Sequence, residues 1–195
     1  MIIDPKAQRF PSPTPKITAR PVDFAYFIFF LIHIPATLLL DLQAVYPTWL
    51  VPRDSSLRVL GDLYMKLTAD PVVGSVGGYF GDEVQHQFLW LRCFMWTELL
   101  LQLPTFIYGS YNLYHNTNLA KLYPLLIAYG AGTAMTTLPC IAVLLTTPAD
   151  VLADWQRLML LGSYIPFFVI PLTISIDMGI RTKKHLAVAQ GQKNK

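Results

Sequence analysis

The sequence predicts an all-α membrane protein, a bundle of four transmembrane helices. Three observations predict it. Hydrophobic residues make up 53% of the 195 positions and charged residues only 14%, against roughly 25% charged in a soluble domain. The missing charge is concentrated in apolar runs about as long as a bilayer core is thick. Prolines interrupt every run (Pro35, Pro104, Pro124, Pro139, Pro166 and Pro171), and the carbonyls they free need neighbouring helices to satisfy them, which favours a packed bundle over separate anchors. The length suits one domain. A net charge of +3 is too small to argue for nucleic acid, and its placement at the chain ends fits a membrane surface better.

Residues 1–20 contain Pro5, Pro11, Pro13 and Pro15 without apolar periodicity and are expected to form a disordered arm. The first span is read from Val22 to Leu40. It starts too far in, is too long, and lacks the small-residue cleavage site of a signal peptide. Residues 42–87 form a long loop, in which Leu57, Leu60, Leu63, Tyr64 and Leu67 share one face of a short amphipathic helix. Asp70-Pro71 and the glycine-rich segment 74–81 are expected to break regular structure. The second span runs from Phe88 to Tyr108, the third from Leu122 to about Thr146, and the fourth from about Arg157 to Ile180. Residues 181–195 form a basic tail.

An even number of spans puts both termini on one side. Lys6, Arg9, Lys16, Arg20, Lys121, Arg181, Lys183, Lys184, Lys193 and Lys195 then share that side, against Arg53, Arg58, Lys66 and Arg157 opposite, with Arg92 near the mouth of span 2. The positive-inside rule makes the first side cytosolic and the 42–87 loop lumenal or extracellular. Cys93 and Cys140 both lie in apolar runs and read as small core residues. No Cys-x-x-Cys spacing suggests a metal site, and no cofactor is expected.

The ionisable residues within the spans are the functional candidates, because burying such a group costs several kcal/mol unless it is paired. His33, Thr37 and Asp41 follow at i, i+4 and i+8 and share a helical face. Spacing alone leaves Asp41 either hydrated at the interface or buried. Glu98 lies near the middle of span 2, with Gln102 one turn on as a candidate hydrogen-bond partner. Asp70 before Pro71 reads as a turn residue, Thr136 and Thr137 as back-bonding to their helix, Tyr164 as an interface anchor, and Asp177 as the local ion-pair partner of Arg181. An acid in an apolar cavity suits a cationic amphiphile or a sterol hydroxyl, and a proton-shuttling enzyme needs a similar constellation.

The motifs resemble those of the sigma-2 receptor (transmembrane protein 97) family. His33-Ile34-Pro35, Thr37 and Asp41-Leu42-Gln43-Ala44-Val45 resemble its first span, and Glu98 with Gln102-Leu103-Pro104 its second. Met135-Thr136-Thr137-Leu138 resembles the third, while Arg157-Leu158, Tyr164, Pro166 and Ile170-Pro171 resemble the fourth; Asp70-Pro71 matches its loop. The likeness covers roughly residues 22–180. It implies an EXPERA four-helix domain over 21–180 in the endoplasmic reticulum membrane, with a bilayer-facing pocket for sterols, oxysterols and cationic amphiphilic amines. In that family the counterpart of Asp41 pairs with the ligand ammonium, and the counterpart of Asp70 hydrogen-bonds to it. Glu98, Gln102, Thr137, Tyr164, Phe167 and His33 would complete the pocket, Phe167 standing where animal members carry tyrosine. The resemblance also implies homodimers and a role in cholesterol handling, partly through a Niemann–Pick type C-like sterol transporter.

The same wider family includes the sterol Δ8–Δ7 isomerase, which is the competing enzymatic reading. Its His-then-Glu spacing of four residues becomes His33 and Thr37 here, its next acid matches Glu98, and its Asn and Trp fall at Tyr164 and Phe167. Asp41 is displaced from Thr37 by about 5 Å along the helix. The missing carboxylate favours a binding protein without catalytic residues. A purely structural or chaperone-like tetraspan protein is the third reading.

Overall fold

The computed structural model describes residues 15–47, 49–52 and 54–193. The expected arm lies outside these residues up to position 14. Its last part is ordered: a 3-10 turn at Ile17–Ala19 buries Ile17. Among the described residues every regular element is helical.

Helix α1 (Pro21–Leu39) starts with proline at its N-terminus, where the missing N–H costs nothing, and with Asp23 in its first turn. It stops at Leu39, and Asp41–Ala44 continue as a 3-10 turn. Helix α2 (Ser56–Thr68) is N-capped by Ser55, whose Oγ accepts from the Arg58 N–H. It ends at Ala69, which takes the left-handed conformation (φ 48°) and turns the chain into α3 (Pro71–Gly77). Helix α4 is Asp82–Gln87, α5 Leu89–Thr97, α6 Leu103–His115, α7 Leu119–Thr146 and α8 Asp154–Lys193. Among the described residues three helical segments are long and apolar enough to cross a membrane: Pro21–Ala44, Leu119–Thr146 and Asp154–Gly191. The segment read as the second span is helical from Leu89 to His115 but contains a π-helical turn at Glu98–Gln102, closed by the Leu103 N–H on the Glu98 carbonyl. The turn directly precedes Pro104, which has no N–H for the usual i−4 bond.

The loop 42–87 folds against the bundle. Glycines 74 and 77 lie inside α3, contrary to the expected break across 74–81; the chain turns only at Gly78 (φ 84°) and Gly81 (φ 94°). Packing drives this, since Val72 and Val76 are buried beside Leu91, Met95, Cys140 and Leu144. On α2, Tyr64 and Met65 turn inward while Leu60, Leu63 and Leu67 are exposed, so the apolar residues divide between two sides. Cys140 is buried, but Cys93 is exposed on the outer side of α5 and is not the core residue expected. The segment 181–193 continues α8 without a break.

Two apolar cores are stacked along the bundle. One gathers Phe29, Phe30, Phe106, Leu126, Tyr129 and Ile174; the other gathers Leu42, Val72, Leu91, Cys140, Leu144 and Leu160. Helices α7 and α8 pack tightly at Gly130, where a Cβ would run into the Pro171 carbonyl oxygen and the Ser175 backbone nitrogen. Ser175 Oγ donates to the Ile127 carbonyl at 3.1 Å in the same crossing. The start of α1 meets the Asp177–Arg181 stretch of α8. There Arg181 bridges Asp23 (2.6 Å) and Asp177 (2.7 Å), and Arg20 also holds Asp23 (2.7 Å). The local Asp177–Arg181 pair is thus part of a network between α1 and α8. At the opposite end Arg157 donates to the Leu144 and Thr147 carbonyls and caps the C-terminus of α7.

Candidate ligand-binding site

A cavity of about 280 Å3 lies between the two cores. Helix α1 and its 3-10 turn supply His33, Ala36, Leu40 and Asp41; the α5–α6 segment supplies Met95, Glu98 and Gln102. Helix α7 contributes Thr133, Thr137 and Cys140, and α8 contributes Ser163, Tyr164 and Phe167. Seven of the eight residues singled out from sequence therefore line one space: His33, Asp41, Glu98, Gln102, Thr137, Tyr164 and Phe167.

Asp70 lies one layer behind the wall and is fully buried. Its Oδ2 accepts from the Tyr64 hydroxyl (2.6 Å) and the Tyr164 hydroxyl (2.9 Å). Its Oδ1 accepts from the Val72 and Val73 N–H groups at 2.8 and 3.2 Å, capping α3. Those four donors occupy the carboxylate, and no hydrogen bond joins Asp70 to Asp41 among the described residues. The expected contact between the two acids is replaced by a tyrosine clamp. Burial, then the Asp70 charge and hydrogen bond, push the Tyr64 phenol well above its ordinary value, so it remains a donor.

Asp41 reaches the cavity from the 3-10 turn and not from a continuing helix, so the i+8 argument does not describe its position. Among the described residues its carboxyl has no side-chain partner. Thr37, fully buried, donates its hydroxyl to Glu98 Oε1 at 2.5 Å. Glu98 is thus bonded across to α1 and not to Gln102, the partner suggested by i+4 spacing. Gln102 Oε1 instead accepts from the Thr133 hydroxyl of α7 at 2.9 Å. Thr136 and Thr137 back-bond to the Thr133 carbonyl as expected.

His33 Nε2 lies 3.9 Å from Glu98. The imidazole stacks on Phe106 (centroids 4.3 Å apart) and meets Phe167 edge-on (4.6 Å) and Phe29 (5.2 Å). Its buried Nδ1 has no partner among the described residues. Tyr64, Thr133, Met95 and Ser163 also line the cavity but were not singled out from sequence. Tyr64 had counted only toward the amphipathic face of α2, and its i+6 relation to Asp70 carries no periodic signal.

Residues 57–178, more than half of the chain, match the EXPERA (expanded EBP superfamily) family. The chain belongs to the EXPERA superfamily. Similar proteins cover most of its length. One is the efficient mitochondria targeting-associated protein 19 of Saccharomyces cerevisiae, 33% identical over 169 residues that span 76% of this chain and 92% of that protein. Sigma intracellular receptor 2 of Homo sapiens is 29% identical over 170 residues, spanning 83% of this chain and 89% of the receptor. The Macaca fascicularis receptor of the same name is 30% identical, with the same coverage of both chains. EXPERA proteins are membrane-associated, in keeping with the three span-length helices.

Proposed function

We propose that this EXPERA chain binds an amphiphile, a cationic amine or a sterol, within a membrane that it crosses four times. One observation carries the reading: two carboxyl groups, Asp41 and Glu98, line a single cavity whose other walls are largely apolar and aromatic. An acid placed there is costly unless a partner offsets it, and among the described residues no side chain engages the Asp41 carboxyl. A volume near 280 Å3 is at the small end of ligand pockets, roughly 300–1,000 Å3. It suits a compact amine, or the hydroxyl end of a sterol with its tail toward the bilayer. Asp70, Tyr64 and Tyr164 hold the wall, while Gln102, Thr137, His33 and Phe167 shape the space.

The fourth crossing is Leu89–His115. An even count is supported by the network that brings the start of α1 to the α8 segment around Arg181. Basic residues favour cytosolic termini. Residence in the endoplasmic reticulum, a role in sterol handling, homodimers and a Niemann–Pick type C-like transporter partner rest on the sigma-2 family resemblance, and sigma intracellular receptor 2 is among the relatives. Against isomerase activity stands Thr37, which falls where the resemblance gives the isomerase a glutamate and whose hydroxyl is bonded to Glu98. The yeast relative's name supports a second reading, assistance in targeting proteins to mitochondria.

Purified protein should bind a long-chain amine saturably near neutral pH. Asp41→Asn should weaken that binding at least about tenfold, the loss of about 1.4 kcal/mol, without lowering the melting temperature. Equal affinity in the variant would overturn the assignment. Expression in cells lacking sterol Δ8–Δ7 isomerase should leave their sterol composition unrescued; rescue would establish the enzyme. Restoration of mitochondrial targeting in yeast lacking the relative, by wild type and Asp41→Asn alike, would favour the second reading.

A further inference from the structure

A second and larger cavity, about 520 Å3, adjoins the first and shares Leu40, Tyr64 and Val73 with it as a common wall. Its charge character is opposite. Among the described residues that line it the one carboxylate is Asp62, which is exposed on α2 and accepts from Tyr79 at 2.7 Å. Burial and that contact push the Tyr79 phenol up to about 12, so it stays a neutral donor. Two half-buried residues, Arg58 and Arg92, supply guanidiniums to the same lining. Among the described residues the Arg58 guanidinium donates only to backbone carbonyls, Gln43 at 2.7 Å and Tyr46 at 3.5 Å, which fix its position without cancelling its charge. The Arg92 guanidinium forms no ion pair or hydrogen bond among the described residues. Gln43 and Gln85 add polar groups, and Leu40, Ala44, Met65 and Val73 supply apolar wall.

Half-buried guanidiniums favour planar or tetrahedral oxyanions, which accept their forked donors in pairs. We propose that this second chamber binds the phosphate or sulfate headgroup of an anionic amphiphile, with the alkyl part against the apolar wall. Helix α2 forms one side of the chamber and exposes Leu60, Leu63 and Leu67, a pattern that places the chamber at the membrane interface. The two cavities then sort amphiphiles by charge: cations go to Asp41 and Glu98, anions to Arg58 and Arg92. Tyr64, held by Asp70, is the partition between them. The inference rests on the proposed function only for its membrane setting.

The test is equilibrium binding of a radiolabelled long-chain alkyl phosphate to full-length protein in neutral maltoside micelles, beside a long-chain amine and inorganic phosphate. Saturable alkyl phosphate binding is expected, at least tenfold tighter than that of the matching alcohol or of inorganic phosphate. Arg92→Gln should weaken it at least tenfold, and Arg92→Lys should weaken it less, both with an unchanged melting temperature. Asp41→Asn should leave it unchanged. Alkyl phosphate binding no tighter than the alcohol, or indifferent to Arg92→Gln, would overturn the proposal. So would inorganic phosphate binding as tightly, which would mean a free-anion site. The amine measurement reports on the first cavity separately, so failure of either reading is visible alone.

Discussion

Two aspartates distinguish a residue that holds the fold from one that is free to meet a ligand. Asp70 is fully buried and accepts four hydrogen bonds that tie α2, α3 and α8 together. Asp41 faces the cavity without a protein partner among the described residues. Substituting Asp70 by Asn presents an amide donor to two phenolic donors and removes the charge that strengthens the helix cap. Hydrogen bonds to charged groups contribute about 1.5–3 kcal/mol each. Asp70→Asn should therefore cost about 3 kcal/mol, read as a lowered midpoint in a denaturation titration of the micellar protein. Asp41→Asn should leave that midpoint in place. A reversal of the two results would exchange their roles. Sequence spacing placed His33 and Glu98 as interior polar groups, but could not pair Glu98 with Thr37, because residues 61 positions apart meet only through packing.

At the scale of the element, the π turn sets the geometry of the site. A π turn is equivalent to one residue inserted into an α-helix. It lets α5 direct Leu91 and Met95 to one core while α6 directs Phe106 to the other, with Glu98 and Gln102 both on the cavity between them. Deleting Leu100, an exposed residue in that turn, should restore α-helical register. That rotates α5 by about 100° against α6 and separates Glu98 from Thr37. Amine affinity should fall at least tenfold while the far-ultraviolet circular dichroism retains its helical signal. Unchanged affinity would show that the turn does not position the site. Pro104 marked the place in the sequence, yet proline predicts a kink as readily as a π turn.

At the scale of the whole molecule, the bundle is closed by the α7–α8 crossing and by the Arg181 network between α1 and α8. Gly130 has no room for a side chain, since backbone atoms of α8 occupy the space a Cβ would take. Gly130→Val should force the helices apart and cost about 2 kcal/mol or more, in the range of core overpacking. A shift of the denaturation midpoint measures this, and Gly132→Val is the control, because a Cβ there meets nothing within 4 Å. Equal midpoints for the two variants would remove the crossing from the account.

Composition and apolar run length determined the helical membrane character of the chain and located its helices, because spanning a bilayer imposes a length and a polarity that are local properties. The His33-to-Asp41 and Glu98-to-Gln102 motifs determined which residues to watch. Only the tertiary structure decided what those residues touch. It folded the 42–87 loop against the bundle through Val72 and Val76, placed Asp70 behind a pair of tyrosines, and ended α1 before Asp41. It also formed the arginine-lined second chamber, whose residues come from four separate stretches of sequence. Contacts of that kind depend on which helix faces which. That choice is made by packing between distant segments, and a periodic pattern along one helix does not record it.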